Sequence, residues 1–402
     1  MNKSIQQLYD TASKEEKLII GLMSGTSLDG LDLALCRISG SGTDTKVQLL
    51  EFDTCPYNLS AKKMIQDVTS VKQVDFEQLC IVHSWLGFLH ADMILEMIEQ
   101  WNYHPGQIDC IASHGQTVFH APAFQHKKEG MPNATFQIGD GDHIAQKTGI
   151  LTISDFRQKH TAAGGEGAPM VSYVDPLLFG SEDENRILLN IGGIANFTYL
   201  PKMTTDAQTG TLTTDTGPGN TMIDAAVKAY YPMKTYDVDG KLAASGDIHQ
   251  PFLNELKKHP FFRRDIPKTT GPEVFNMKWV EEVRQKKSFE PLESADLIAT
   301  LTRLTAETIA ESIQEVIKDK GENRLLISGG GVHNQTLVKW IRELLPGVVV
   351  QNFKEIAFNP DAKEAVLFAV LANELLSGDG FSMNIQDGAE QKVHFGKISY
   401  PN

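Results

Sequence analysis

The residues best suited to chemistry in this 402-residue chain begin in one run, KLIIGLMSGTSLDGLDLALCRI at 17–38. Ser24, Gly25, Thr26 and Ser27 follow an apolar, β-favouring stretch of Leu18, Ile19 and Ile20. Asp29 and Gly30 open a second one, in which Leu31, Leu33 and Leu35 alternate with Asp32, Ala34 and Cys36. Glycine lets the main chain come close to a ligand, and consecutive N–H groups in such a turn form a concave anion site. The hydroxyls of Ser24, Thr26 and Ser27 add donors suited to phosphate oxygens. The same run also reads as a surface hairpin whose glycines only shape the turn, and both readings stand at this level. It is neither a Walker loop, since no GxxxxGK[ST] is present, nor a dinucleotide fingerprint, since a strand rather than a helix follows. A second turn, Gly192-Gly193, lies in RILLNIGGIANFTYL at 186–200. In TGPGN at 216–220, Gly217, Gly219 and Asn220 open a helix whose first amides suit an oxyanion or phosphate.

Composition narrows the setting for these turns. With 37 basic and 51 acidic residues the formal charge is −14, which supplies no broad positive field and argues against nucleic acid or an anionic membrane as partner. MNKSIQQLYD lacks an apolar signal region, and no run reaches about 18 apolar residues. Cys36, Cys55, Cys80 and Cys110 show no CxxC spacing and read as reduced residues of a cytoplasmic protein.

Periodicity then predicts the elements that hold the turns. Strands are expected at 17–24, 30–38 and 46–54, and a helix at 76–101. A strand at 109–112 runs into SHGQTVFH, one at 135–138 ends in GDGD, and one at 150–153 ends in SDFR, with a helix at 142–148. The second half repeats the plan: a hairpin at 186–200, a strand at 210–214, an insertion-like polar region at 237–290 and a helix at 295–318. Further strands fall at 324–327 and 348–350, helices at 335–345 and 360–376, and a last strand at 393–398. Hairpins followed by alternating units imply mixed sheets with helices packed on them, in two halves that enclose a cleft.

GLMSGTSLDGLD, IASHGQTVFH, FQIGDGDHIA, SDFR, GGEGAP, NIGGIANFT, DTGPGN and GGGVHN, in this order, resemble the anhydro-N-acetylmuramic acid kinases over nearly the whole chain. That family belongs to the sugar kinase, heat-shock chaperone and actin superfamily. The resemblance implies an α/β fold of two ribonuclease H-like (actin-like ATPase) domains around a central nucleotide cleft. The domains would span 17–180 and 181–402, the final helix and tail packing back on the first as an option. It implies hydrolytic opening of 1,6-anhydro-N-acetylmuramic acid with phosphorylation by ATP, giving the 6-phosphate and ADP in cell-wall recycling. An ordinary hexose or amino-sugar kinase, and an ATP-driven switch module, are the alternatives.

Carried onto this chain, the resemblance assigns roles. The turn from Ser24 to Asp29 would hold the β and γ phosphates, with Gly30 and Asp32 behind it, and Ile191 to Ala195 would approach them from the other half. Ser328 to Asn334, including Gly329, Gly330 and Gly331, would line the adenosine side. Mg²⁺ should bridge the phosphates. Related chaperone ATPases carry an aspartate in each hairpin where this chain has Met23 and Asn190, so Asp29 or Asp215 would hold the metal through water. Asp155 would activate the attacking water, or else it caps the next turn or pairs with Arg157. His114, Gln116, Thr117, Gln137 and Arg157 are sugar-side candidates, His114 equally an orienting residue for its own loop. Glu364, polar on an apolar helix, faces either the cleft or solvent. A homodimer is compatible with the sequence, which sets no oligomeric state.

Overall fold

Apolar alternation folds each half of the chain into a sheet. The computed structural model describes residues 2–25, 27–203, 210–317, 321–355, 358–384 and 390–401. In the first half β1 (Glu16–Ser24), β2 (Gly30–Ser39) and β3 (Lys46–Pro56) form an antiparallel meander. They are followed by β4 (Cys110–Ala121), β5 (Ala134–Ile138) and β6 (Thr152–Ser154). The second half supplies β7 (Asn185–Ile191), β8 (Ile194–Leu200), β9 (Leu212–Pro218), β10 (Asn323–Ser328) and β11 (Val348–Asn352). The chain ends in β12 (Phe381–Asn384), β13 (Glu390–Val393) and β14 (Lys397–Ser399).

One sheet has the order β14-β6-β4-β1-β2-β3, with β5 paired to β4, and the other β11-β10-β7-β8-β9. In each, two strands add parallel beside the first strand of an antiparallel meander: β4 then β6 beside β1, and β10 then β11 beside β7. This is the ribonuclease H-like plan, present twice in a mixed α/β chain.

By contacts the chain divides into two units, 1–178 with 361–402, and 179–360. In the first, Ile20, Leu22, Leu33 and Leu35 pack against Val82, Leu86, Ile94 and Ile98 of the helix Phe76–Gln100. Asp75 caps that helix by accepting from the Gln78 amide. In the second, Ala306, Ile309 and Ile313 of the helix Ser294–Ile317 cover Ile187, Leu189 and Phe197. The 237–290 region has an apolar cluster of its own, in which Phe252, Leu256, Phe261 and Phe275 meet Ile298 and Leu301.

Two expectations about strands change. SHGQTVFH does not follow its strand but lies inside it, because β5 pairs with β4 from Gln116–Ile138 to Ala121–Ala134. The single tail strand becomes β13 and β14, and β14 adds antiparallel to β6, with Lys397 opposite Ser154.

The helix Lys363–Ser377 lies against β1, β2 and β4 of the first unit and is buried from Ala365 to Glu374. Contact with β1 requires a glycine: a Cβ on Gly21 would stand 1.9 Å from the Ala365 carbonyl oxygen. At the helix's far end Glu374 accepts from the Gly42 amide and the Thr45 hydroxyl, both at 3.0 Å. At its start Lys363 pairs with the buried Asp175 at 2.9 Å. Gly21→Ala should therefore force strand and helix apart and cost more than about 2 kcal/mol in urea unfolding. Gly130→Ala, in open space at φ +71°, should cost only about 1–2 kcal/mol of backbone strain. Equal costs would mean that the close contact does not hold the helix.

Candidate functional site

In the first unit the turn after β1 faces a cavity of about 460 Å³. Met23, Ser24, Gly25 and Ser27 form one side of it. His114, Thr117 and His120 of β4, Thr135 of β5, Arg157, Ala168 and Glu364 form the rest. Gly25 and Ser27 lie open: a Cβ on Gly25 would meet only the Ser27 hydroxyl, at 3.7 Å. Thr26 lies outside the described residues. The turn thus offers main chain to the cavity, as an anion site requires.

The Ser24 hydroxyl, expected as a phosphate donor, is committed within the protein. It donates to Gln116 Oε1 at 2.6 Å and accepts from the Tyr57 hydroxyl at 2.9 Å. With the Tyr57 proton given to Ser24, His90 Nε2 at 2.8 Å is the donor to Tyr57. Gln116 is fully buried in this chain of bonds and does not reach the cavity wall. Gln137 is also buried, donating to Thr135 at 2.8 Å, and so supports the wall from behind.

Arg157 is the most constrained group on the wall. Its Nε donates to His114 Nε2 at 2.8 Å, and its Nη1 donates to the Gly167 carbonyl at 2.7 Å. Arginine can only donate, so the His114 proton sits on Nδ1, which donates to the Gly115 carbonyl at 2.8 Å. Both ring nitrogens are used within the protein, and His114 holds the Arg157 Nε. Glu364 is exposed and borders the cavity, so it is not a dry core residue. The protein around it still lifts its carboxyl above the usual range, an effect the Arg157 charge opposes.

Asp155 stands at the corner between β6 and the helix Phe156–Ala162, at φ 55° and ψ 36°. A non-glycine residue in this left-handed region stores strain of the kind found at functional corners. Its carboxylate is one-third exposed and accepts from Lys397 at 2.8 Å. It does not cap the helix, does not pair with Arg157, and is not on the cavity wall.

Of the residues behind the turn, Gly30 packs against β3, where a Cβ would stand 2.3 Å from the Cys55 carbonyl. Asp32 accepts from Thr54 at 2.6 Å. Burial raises its carboxyl, and the charges of Asp361 and Asp29 add to the effect. Among the described residues no three His, Cys, Asp or Glu side chains gather as a metal site.

The second unit has its own cavity, of about 430 Å³, bounded by Asn220, Ile223, Asp224, Gly330, His333 and Asn334, with Tyr236 just before the 237–290 region and Asp237 at its start. Asn334 caps the helix Gln335–Leu344 through the Leu337 amide at 2.9 Å. The amides expected to meet phosphate are used otherwise: Gly219 donates to the Gly193 carbonyl and Asn220 to the Gly192 carbonyl, at 2.9 and 2.8 Å. Gly219 is there for that contact, since a Cβ would stand 2.2 Å from the Gly192 oxygen. Gly217, at φ +135°, packs against Phe262, while Gly329 and Gly331 pack against Ile191. Asp215 accepts from the Thr270 amide at 2.8 Å, with burial raising its carboxyl.

His120, Thr135, Ile223, Asp224 and Tyr236 were not found from sequence, whereas His333 falls inside the 328–334 stretch expected on the adenosine side. A bulge between Thr117 and Phe119 shifts the parity of β4, so His120 comes opposite Thr135 on the cavity side. The second-unit residues lie on helix and loop positions with no distinctive spacing.

The buried imidazoles set a pH dependence. Burial holds His114 and His90 at about 3, far below the 6.5 or so of a free imidazole. Below pH 6.5 the unfolded chain takes up protons that the folded one does not, so stability present at neutral pH is lost on acidification. Each group should cost about 1.4 kcal/mol per pH unit in that window. His114→Asn should flatten the fall of the urea midpoint between pH 6.5 and 4. An unchanged slope would mean that the imidazole is charged in the fold.

Comparison with known proteins follows the same lines. The family model of the anhydro-N-acetylmuramic acid kinases matches residues 17–401. A protein of Pseudoalteromonas atlantica with that name is 48% identical over all of both chains, and one of Pseudoalteromonas translucida is 44% identical, again over all of both. One of Caldanaerobacter subterraneus subsp. tengcongensis is 42% identical over 98% of this chain and 100% of its own. On these matches the chain belongs to the anhydro-N-acetylmuramic acid kinase family.

Proposed function

We propose that the protein opens 1,6-anhydro-N-acetylmuramic acid with water and phosphorylates the freed oxygen with ATP, giving N-acetylmuramic acid 6-phosphate and ADP. The observation that carries this reading is the first-unit cavity: a main-chain turn of phosphate-binding type, a guanidinium and a carboxylate around about 460 Å³ of space. In the reaction the water oxygen bonds to carbon 1 as the bond from carbon 1 to the bridge oxygen breaks. The bridge oxygen, left on carbon 6, bonds to the γ-phosphorus as the bond to the β-phosphate oxygen breaks. Transfer to phosphorus replaces protonation of the leaving oxygen, so one base is needed, to take the water's proton.

Asp155 is that base in the preferred reading, supported by its strained corner position between β6 and the following helix, where it accepts from Lys397 at 2.8 Å. A second reading gives the role to Glu364, because its carboxylate lies on the cavity wall and desolvation by the protein around it lifts it above the usual carboxylate range. The turn at Ser24–Asp29 binds the transferred phosphate mainly through main-chain N–H groups, which position and stabilise it. The second-unit cavity suits adenosine, with Tyr236 and Ile223 offering apolar surface. Mg²⁺, when bound, neutralises phosphate charge. Asp29 and Asp32, acidic oxygens beside the turn, would hold it through water, Asp32 taking the place of the Asp215 expected from sequence. Cysteines that are free throughout accord with a cytoplasmic enzyme.

With Mg-ATP the protein should turn over the anhydro sugar and leave ring-opened N-acetylmuramic acid nearly untouched; the reverse preference would mean an ordinary amino-sugar kinase. Asp155→Asn should lower kcat by about 10²- to 10⁴-fold, and Glu364→Gln should keep the acidic limb of the pH profile. If Asp155→Asn stays active and Glu364→Gln loses that limb, Glu364 is the base.

A further inference from the structure

A monosaccharide kinase needs a way to choose its sugar, and the first-unit cavity has one charged group set apart for it. Arg157 is the one Lys or Arg side chain on the wall among the described residues. Two of its five N–H groups are taken, by His114 and the Gly167 carbonyl. Both of those partners are neutral. Burial disfavours the guanidinium's charge, and its hydrogen bonds reach no described carboxylate. Glu364, on the same wall, acts on it only at longer range. A partly buried cation held at two points, with three donors left, is short of one anion.

The proposed substrate carries such an anion. N-acetylmuramic acid differs from N-acetylglucosamine by a lactyl ether on oxygen 3, and the lactyl group ends in a carboxylate. Arginine's planar fork matches a carboxylate at two points. We infer that Arg157, oriented by His114 and the Gly167 carbonyl, selects the substrate by its lactyl carboxylate. This rests on the function proposed above and adds the determinant of sugar choice. His114 is then a positioning residue: it fixes the roll of the guanidinium and stays uncharged, so it does not compete for the anion. The rival role for Arg157 is stabilisation of the transferred phosphoryl group, which every sugar acceptor would need equally.

The test compares two acceptors, 1,6-anhydro-N-acetylmuramic acid and 1,6-anhydro-N-acetylglucosamine, in the full-length protein and in Arg157→Gln. The unsubstituted protein should prefer the lactyl sugar in kcat/KM by about 100-fold or more, the scale of leaving a buried cation unpaired. In Arg157→Gln the ratio should fall to within about threefold. A ratio that survives the substitution while both sugars slow together would overturn the proposal and give Arg157 to the phosphoryl group. Equal turnover of both sugars by the unsubstituted protein would overturn it as well. Turnover of neither would instead remove the function reading on which it rests. If Arg157→Gln fails to fold, the lactyl amide of the anhydro sugar tests the same contact on the unsubstituted protein. A loss matching that of the lactyl-free sugar supports the carboxylate contact, and full activity on the amide contradicts it.

Discussion

A backbone-to-backbone contact holds the first unit's cavity in shape. Gly21 lies in the first strand and Ala365 in a helix from the last forty or so residues, with no room for a side chain between them. The strand runs three residues further into the Ser24 turn, and the helix begins two residues before Ala365, at Lys363. One close approach therefore sets both the turn and Glu364 on the same cavity. The anchors at the helix ends, Glu374 to the loop at Gly42–Asp44 and Lys363 to Asp175, keep it from sliding along the sheet.

Around that frame, polar side chains are mostly spent on one another. His90, Tyr57, Ser24 and Gln116 form a directed chain in which each proton has one destination. Gly115, His114 and Arg157 form another. Chains of this kind fix orientation before a ligand arrives, which is what a site needs when its work is to position a phosphate and a sugar. Groups on the wall for the ligand include the turn at Gly25 and Ser27, Thr117, His120, the rest of the Arg157 fork and the Glu364 carboxylate.

Much of this was legible in the sequence, for a physical reason. A hairpin with a glycine turn needs only local alternation, so both meanders and most of the turn residues came from residues next to one another. The family resemblance pointed to His114, Thr117 and Arg157, which line the cavity. What sequence could not supply were partners far along the chain. Asp155 is held by Lys397 across 242 positions. The amides of Gly219 and Asn220 are satisfied by Gly193 and Gly192, so a turn that looked open to phosphate is closed by its neighbour. The β4 bulge moved His120 onto a face that strict alternation assigns elsewhere. Glu364 was balanced between cavity and solvent, and in the structure it is both exposed and on the cavity wall.

The central claim is that a carboxylate beside this cavity sends water to carbon 1 of a bridged sugar while the bridge oxygen goes to phosphorus. Turnover in oxygen-18 water, followed by mass spectrometry of the product, tests it directly. The account predicts one heavy oxygen, on carbon 1, and none in the new phosphate ester. Heavy oxygen at the carbon 6–phosphorus linkage, or an unlabelled product with phosphate transferred, would contradict it.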